Sequence, residues 1–376
     1  MIAMFGDEEE TREKIDPWGS RAITDYSHIY TDFSISTITP EAKAFFADKT
    51  FLFERDIIIG ERNLGEIVDL IRKKDDFAIV SGFATSGDLH YGHKAVIDVY
   101  KFFRQYTKRG YFAICDLDAY VSRPDAKIPS LAASQEYAVR DVADVLALGV
   151  SERDIVVQSG RDAGYYDFAF QVSKKLTLNT MKATLGHTDL GKFSAAYLQI
   201  ADILYPQVEN GGMPTLVPAG IDQEPLLRLT RDVARKFKST YDLTVPSSVY
   251  IAHLPSLQDF TDKMSKSKEN SALMLTSSEQ EMEKVVSNAI TGGRETTEEQ
   301  RKFGGNPQKC SIYDMYKFNH PDSAFVKGVC DRCVSGQLLC GEDKKVLKEF
   351  LRQDLKEHAK GRDEFLERAR KIVIKK

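Results

Sequence analysis

Lysine, serine and histidine are concentrated in two short stretches of this 376-residue chain. The segment DKMSKSKEN, residues 262–270, holds three lysines and two serines in six consecutive positions, with one methionine between them. Mobile ammonium groups at that density suit the stabilisation of negative charge that grows during a reaction. The second stretch, SGFATSGDLHYGHKAV (81–96), surrounds His90 and His93 with Gly82, Ser86, Gly87 and Gly92 at the start of a helical pattern. Glycines let a ligand approach the backbone, and a helix N-terminus attracts phosphate. Histidines three apart share a helical face, so both rings can point at one ligand. A metal pair and a helix cap with two surface histidines are the alternatives that this spacing leaves open. Neither a GxxxxGK[ST] loop nor a GxGxxG turn is present, so the positive charge of a phosphate site has to come from elsewhere. Residues 262–270 are its densest source.

Five runs rich in β-branched and aromatic residues separate helical-period stretches: FAIVSGF (77–83), YFAICDL (111–117), DIVVQSG (154–160), TLVPAGI (215–221) and SSVYIAHL (247–254). The alternation predicts an α/β fold with a doubly wound parallel sheet over residues 76–276, carrying a helical insertion at about 118–210. From 277 to 376 the strand signal disappears, and an all-helical C-terminal domain is expected. Residues 1–75 read as an N-terminal extension with short strands, FLFERDIII among them, partly flexible over its first 30 positions.

Hydrophobic residues at 42% and charged residues at 29% are ordinary for a globular protein, and the length suggests two or three domains. No apolar run approaches the roughly 20 residues of a membrane-spanning helix, which argues against a membrane role. The first 16 residues carry six acids against two bases, without the basic-then-apolar order of a secretory signal. Five cysteines in a chain this long do not suggest a disulfide framework, so a cytoplasmic location is expected. A net charge of −4 argues against wholesale coating by nucleic acid but permits a local basic surface. The last 36 residues hold twelve Lys and Arg against eight Asp and Glu.

His90-Tyr91-Gly92-His93 resembles the HxGH form of the HIGH signature, and Lys263-Met264-Ser265-Lys266-Ser267 matches the KMSKS signature letter for letter about 170 residues later. Together they resemble the class I aminoacyl-tRNA synthetases. Asp16-Pro17-Trp18, AGIDQ (219–223) and Thr291-Gly292-Gly293-Arg294 through EEQRKFGG (298–305) are similar to the archaeal and eukaryotic tryptophanyl branch of that family. The resemblance implies activation of L-tryptophan with ATP and Mg²⁺ to tryptophanyl-adenylate and pyrophosphate, then transfer to tRNA(Trp). In that reading His90 and His93 contact the phosphates, Gly92 leaves room for adenine, and Lys263 and Lys266 stabilise the departing pyrophosphate. Gly82, Ser86, Met264 and Ser265 lie beside ATP, Asp222 contacts its ribose, and Gln199 and Gln223 hold the amino-acid substrate. Val80 and Cys115 stand where eukaryotic members have Tyr and Gln, Tyr120 stands for a pocket Glu, and Asp202 matches a position where tyrosyl relatives bind the substrate hydroxyl. Tyr120 and Asp202 are the candidate acceptors of the indole N–H, a contact that would leave a buried group unpaired when phenylalanine enters. A tyrosine-tRNA ligase of the same class is the nearest alternative. A non-catalytic synthetase-like binding protein is another, although such a protein would not need the charge-stabilising loop.

The same resemblance implies a homodimer with its interface on the insertion, and a C-terminal domain that binds the anticodon through Arg294 and Glu295, with basic residues of the last helix placing phosphates. Cys310, Cys330, Cys333 and Cys340 lie within 31 residues. Some tryptophanyl enzymes carry an iron–sulfur site spaced C-x22-C-x6-C-x2-C, and here Cys310, Cys333 and Cys340 are in register with Asp343 in the fourth place. Asp is a poor ligand for a soft cluster, so an iron–sulfur cluster or zinc stands beside plain thiols as alternatives.

Overall fold

The computed structural model describes residues 16–19, 30–31, 33–260, 262–265 and 268–374. Most of the first 30 positions, for which flexibility is expected, and the loop lysine Lys266 lie outside the described residues.

One sheet carries the fold: β1 (Ser36–Thr37), β2 (Ile58–Arg62), β3 (Ala78–Ala84), β4 (Arg109–Cys115), β5 (Ile155–Val157), β6 (Thr215–Gly220) and β7 (Ser247–Ile251), in the order β1-β2-β7-β6-β3-β4-β5. The five expected strands, β3 to β7, pair in parallel, as apolar runs covered on both faces should. β1 and β2 add an antiparallel edge, so the sheet is mixed rather than wholly parallel. Before β2 lie α1 (Pro40–Phe46) and α2 (Phe51–Glu54). The stretch FLFERDIII is therefore a helical turn followed by a strand. The Thr50 hydroxyl accepts from Leu52 N at 3.2 Å and starts the turn, and Asp56, at φ 49°, redirects the chain before Ile58 becomes extended.

Helix α3 (Leu64–Lys73) leads into β3, and α4 (Tyr91–Arg104) crosses from β3 to β4. The insertion holds α5 (Asp116–Ser122), α6 (Leu131–Ala147), α7 (Ala163–Lys175), α8 (Leu178–Leu185) and α9 (Leu190–Asn210), with β5 between α6 and α7. Helix α10 (Glu224–Tyr241) joins β6 to β7. After Ile251 no strand occurs among the described residues, and the chain continues through α11 (Glu279–Asn288), α12 (Thr297–Phe303), α13 (Ser311–Asn319), α14 (Ser323–Val334) and α15 (Cys340–Val373). Among the described residues no helix is long and apolar enough to cross a membrane.

One apolar core runs from Phe46 and Ile79 through Leu273 to Ile312, Leu347 and Val373, so the C-terminal helices share a core with the sheet. A second, built from Phe168, Phe193, Ile200 and Phe237, lies within the insertion and α10. Helix α15 packs along α6, where His358 Nε2 and Arg362 Nε stand 2.9 and 2.8 Å from the buried Asp144 carboxylate.

The sheet also makes the opening that the site needs. From β3 the chain proceeds outward to β4 and β5, then returns to β6 and β7 on the other side, so the strand order reverses between β3 and β6. Ligands of doubly wound sheets bind at that reversal, outside the carboxyl ends of the strands. Here β3 pairs with β4 from Ala78 to Ala84 but with β6 only at Ala78 and Ile79, so β3 and β6 part beyond Ile79. The start of α10 is fixed beside this crevice by Glu224, fully buried, which is paired with Arg231, with Arg62 at 3.1 Å and with the Tyr250 hydroxyl. A buried carboxylate is tolerated only when so matched.

Candidate active site

A cavity of about 400 Å³ opens between the parted strands. One wall is the N-terminus of α4. His90 is its N-cap, and the two backbone groups that its position exposes are satisfied by imidazoles. Gly92 N donates to His90 Nδ1, and His90 N donates to His93 Nδ1, both at 3.1 Å. A backbone amide can only donate, so each Nδ1 is an acceptor and each neutral ring carries its proton on Nε2. The rings lie 3.9 Å apart between centroids, and both line the cavity. Two N–H donors at a helix N-terminus are suited to an anion. The metal pair and the plain surface cap fit less well, because the Nδ1 atoms are already engaged and His90 is buried. A side chain at Gly92 would meet the His90 ring at 2.9 Å, and one at Gly82 would run into the Ala113 backbone of β4, so both glycines allow close approach. Ser86 lines the same wall.

The opposite wall comes from the lysine-rich loop. Met264 is buried in the main core and its amide donates to Leu254 O at 2.8 Å, which anchors the loop end to the segment after β7. Anchoring Met264 presents Lys263 and Ser265 to the cavity. Lys263 Nζ lies 2.6 Å from Asp222 Oδ2, and His253 Nε2 lies 3.1 Å from Asp222 Oδ1. Burial would raise the Asp222 carboxyl, but the charges of Lys263 and His253 overturn that and hold it well below the usual carboxylate range. Lys268, by contrast, is largely exposed and pairs with Asp262. Arg123 and Lys127, between α5 and α6, add two further cations to the cavity wall. Burial and the neighbouring Arg123 lower the Lys127 pKa, a crowding that an anion would relieve.

Another part of the wall is apolar, formed by Val80, Ala113, Cys115 and Ile203, with two carboxylates set into it, Asp118 buried and Asp202 half-buried. Asp202 and Gln199 are three residues apart on α9 and so face the same way. Asp202 Oδ1 accepts from the Tyr165 hydroxyl at 2.8 Å and Oδ2 from Gln158 Nε2 at 2.6 Å. Burial nevertheless pushes its carboxyl up to about 7 against those two hydrogen bonds, with nearby Asp118 adding to the rise. Asp118 is likewise raised by burial, partly offset by the Gln199 amide that donates to it and by Arg123. Gln223 reaches across from the start of α10, its Nε2 donating to Pro17 O at 3.3 Å, so Pro17, Trp18 and Gly19 close this side. Tyr120 does not belong here. It follows the inward-facing Asp118 by two residues on α5, about 200° around the helix, and is 38% exposed outside the cavity.

Arg294 and Glu295 are exposed and take no part in this cavity, and Arg294 Nε donates to Gly304 O at 2.9 Å beside α12. The C-terminal cysteines gather near one another. Burial and the neighbouring Cys310 and Cys340 push the Cys333 thiol up to about 11, and Cys340 Sγ lies 3.4 Å from Gln300 Oε1. Among the described residues no group of three or more His, Cys, Asp or Glu side chains is arranged to hold a metal ion.

Sequence reasoning missed Asp118, His253, Arg123, Lys127, Gln158 and Tyr165. The first two had a legible signal, because each follows the carboxyl end of a parallel strand, β4 or β7. Gln158 had the same signal at the end of β5, whereas Arg123, Lys127 and Tyr165 reach the site only through packing of the insertion.

The model of the family described as tRNA synthetases class I (W and Y) matches residues 72–356. The chain is 35% identical over 370 residues to the tryptophan–tRNA ligase of Methanocaldococcus jannaschii, covering 96% of this chain and 98% of that protein. It is 34% identical to the tryptophan–tRNA ligase of Hyperthermus butylicus, covering 96% and 97%. Among solved structures it is similar to the tryptophanyl-tRNA synthetase of Aeropyrum pernix, with a TM-score of 0.84 at 33% identity, covering 95% of this chain and 97% of that one.

Proposed function

The chain belongs to the class I tRNA synthetases of the W and Y family, and from that premise we propose that it joins tryptophan to tRNA through the cavity just described. It is an ATP-using ligase. The tryptophan carboxylate attacks the α-phosphorus of ATP, the bond from that phosphorus to the bridging oxygen breaks, and pyrophosphate departs. The adenylate then gives its aminoacyl group to the 3′-terminal hydroxyl of tRNA and releases AMP. The observation that carries this reading is that the HYGH turn and the lysine loop, about 170 residues apart, line a single cavity at the point where the strand order reverses.

In this reading the Nε2–H groups of His90 and His93 hold the phosphates, with Gly82, Ser86 and Gly92 giving the nucleotide room. Asp222 receives the ribose hydroxyls, and Lys263, Met264 and Ser265 close from the other side; Lys266 is the second lysine that the KMSKS signature assigns to the departing pyrophosphate. Arg123 and Lys127 add charge on the pyrophosphate side. Mg²⁺ enters with ATP as part of the substrate, in keeping with its preference for phosphate oxygens over dedicated protein cages. The indole lies between Val80, Ala113 and Ile203 with its N–H on Asp202, and Gln199 and Gln223 hold the amino-acid backbone. Asp118 orients Gln199. Exposed Phe170, Leu178 and Leu190 of the insertion, at 79%, 62% and 77%, support a dimer interface there. Arg294 and Glu295 are the anticodon readers. Five free cysteines agree with a cytosolic reaction.

ATP–pyrophosphate exchange with each of the twenty amino acids tests the assignment. Tryptophan alone is expected to support exchange, and exchange supported by tyrosine and not by tryptophan would overturn it.

The Asp202 carboxyl adds a pH dependence. With its pKa raised to about 7, it gains a proton as the pH falls, and the acid is a poorer acceptor of the indole N–H than the carboxylate. The ionised fraction rises from about a tenth at about pH 6 to about nine tenths at about pH 8. The KM for tryptophan is therefore expected to fall roughly tenfold across that interval, and to lose this dependence in Asp202→Asn. A wild-type KM that does not change with pH would remove Asp202 from the indole.

A further inference from the structure

Between the two histidines of the turn stands Tyr91, whose ring is fully buried. Its hydroxyl leaves the catalytic half of the molecule and donates to Asp354 Oδ2 on α15 at 2.6 Å. That is a contact across 263 residues of sequence, from the last long helix to the second position of the HYGH turn.

Nearby, Asp88 accepts from the Thr276 hydroxyl at 3.0 Å and the His93 ring lies against Phe83, while the backbone of the turn is fixed by hydrogen bonds of its own. Tyr91 N donates to Leu273 O at 3.2 Å, Leu275 N donates to Leu89 O at 2.8 Å, and His90 is bridged to Met274. The two imidazoles take their orientation from this same backbone, because His90 Nδ1 is set by Gly92 N and His93 Nδ1 by His90 N. A change in the backbone at Tyr91 therefore turns both rings. Helix α15 is itself a rigid support, packed along α6 with His358 and Arg362 on Asp144. The Tyr91 phenol stays protonated, because burial and the Asp354 carboxylate push it well above its ordinary range. It therefore remains a donor throughout the working pH range.

We infer that Asp354 is a positioning residue for adenylate formation: by accepting the Tyr91 hydroxyl it ties α15 to the HYGH turn and fixes where the Nε2–H groups of His90 and His93 point. The inference rests on the reading that those histidines meet the phosphates of ATP. Asp354 touches no substrate, and its effect travels through one side chain. A donor displaced from the position that developing charge occupies loses rate without losing ground-state affinity, so the effect belongs in kcat rather than in the KM for tryptophan.

Pyrophosphate exchange by the full chain tests this with Asp354→Ala, Asp354→Asn, Tyr91→Phe and the double variant Tyr91→Phe/Asp354→Ala. Asp354→Ala and Tyr91→Phe are each expected to lower kcat about tenfold, with the tryptophan KM within about twofold of wild type. The double variant is expected to be no worse than either single one, because both remove the same contact. Asp354→Asn keeps an acceptor oxygen and is expected to restore most of the rate. Arg352→Ala serves as the control. Its side chain braces the same helix through exposed pairs with Glu279 and Glu283, and its loss is expected to leave kcat unchanged. Single variants within about twofold of wild-type kcat, additive losses in the double variant, or an equal loss in Arg352→Ala would each overturn the role of Asp354. His93→Ala, measured alongside, separates the two levels. If it leaves exchange intact, the phosphate reading of the histidines fails first. If it abolishes exchange while Asp354→Ala does not slow it, only the inference about Asp354 fails.

Discussion

Lys263→Ala is expected to lower the maximal rate of tryptophan-dependent pyrophosphate exchange by about 10²–10³-fold while the tryptophan KM stays within about twofold of wild type. In adenylate formation negative charge moves onto the pyrophosphate oxygens as the bond to the α-phosphorus breaks. A cation that meets this charge chiefly in the transition state raises kcat, whereas one that grips ATP equally throughout only tightens binding. Lys263 is placed for the first role. Its neighbour Met264 is locked into the core, which fixes the loop's root, while the ammonium group reaches the cavity and stands 2.6 Å from Asp222. Asp222 keeps His253 as a second partner at 3.1 Å, so the alanine variant does not strand a buried carboxylate alone. Lys268→Ala supplies the contrast. That lysine is mostly exposed and pairs with Asp262, so exchange should change by less than about twofold. Equal losses from Lys263→Ala in rate and in tryptophan affinity would mean that the lysine holds the ground state, and the transition-state role would fall.

The parallel strands β3 to β7 were legible in the sequence because strands covered on both faces are short, apolar and β-branched, and here they alternate regularly with stretches of helical period. The two signatures were legible for a chemical reason, since clustered lysines and a glycine-flanked histidine pair have few other uses. Residues 51–59 were misread because Phe, Leu and Ile serve a helical turn as well as a strand, and the decision lay in the Thr50 cap and in Asp56 at positive φ. Tyr120 was misplaced because correspondence by position in a strand-to-helix turn cannot say which side of the next helix faces inward. Asp118 took the inward side, and a shift of two residues decides between cavity and solvent. Tyr165 and Asp354 could not have been found from spacing at all. Each reaches its partner through packing of separate helices, and sequence distance says nothing about such contacts.

Asp202→Ala is expected to collapse discrimination between tryptophan and its sulfur isostere, β-(benzothiophen-3-yl)alanine, from about 10²-fold in kcat/KM to within a few-fold. The two amino acids have nearly the same shape and apolar area, so Val80, Ala113 and Ile203 cannot tell them apart. Only the ring N–H differs. A carboxylate accepting that N–H in a dry slot gains a charge-assisted hydrogen bond worth roughly 1.5–3 kcal/mol, and leaving it unpaired costs a comparable amount. Asp202 fits the part because Tyr165 and Gln158 hold it in place at 2.8 and 2.6 Å, while apolar neighbours keep water from competing. Asp118, the other carboxylate on this apolar wall and a fully buried one, is engaged by Gln199 and by the Ser122 hydroxyl at 3.2 Å, so its oxygens are already occupied. Removing Asp202 also strands the Tyr165 and Gln158 donors, so the variant is expected to lose stability as well. Asp202→Asn avoids most of that loss by keeping an oxygen for Tyr165 and should give an intermediate preference. Should Asp202→Ala fold, bind both amino acids and still prefer tryptophan by about 10²-fold, the indole acceptor would have to be a different group.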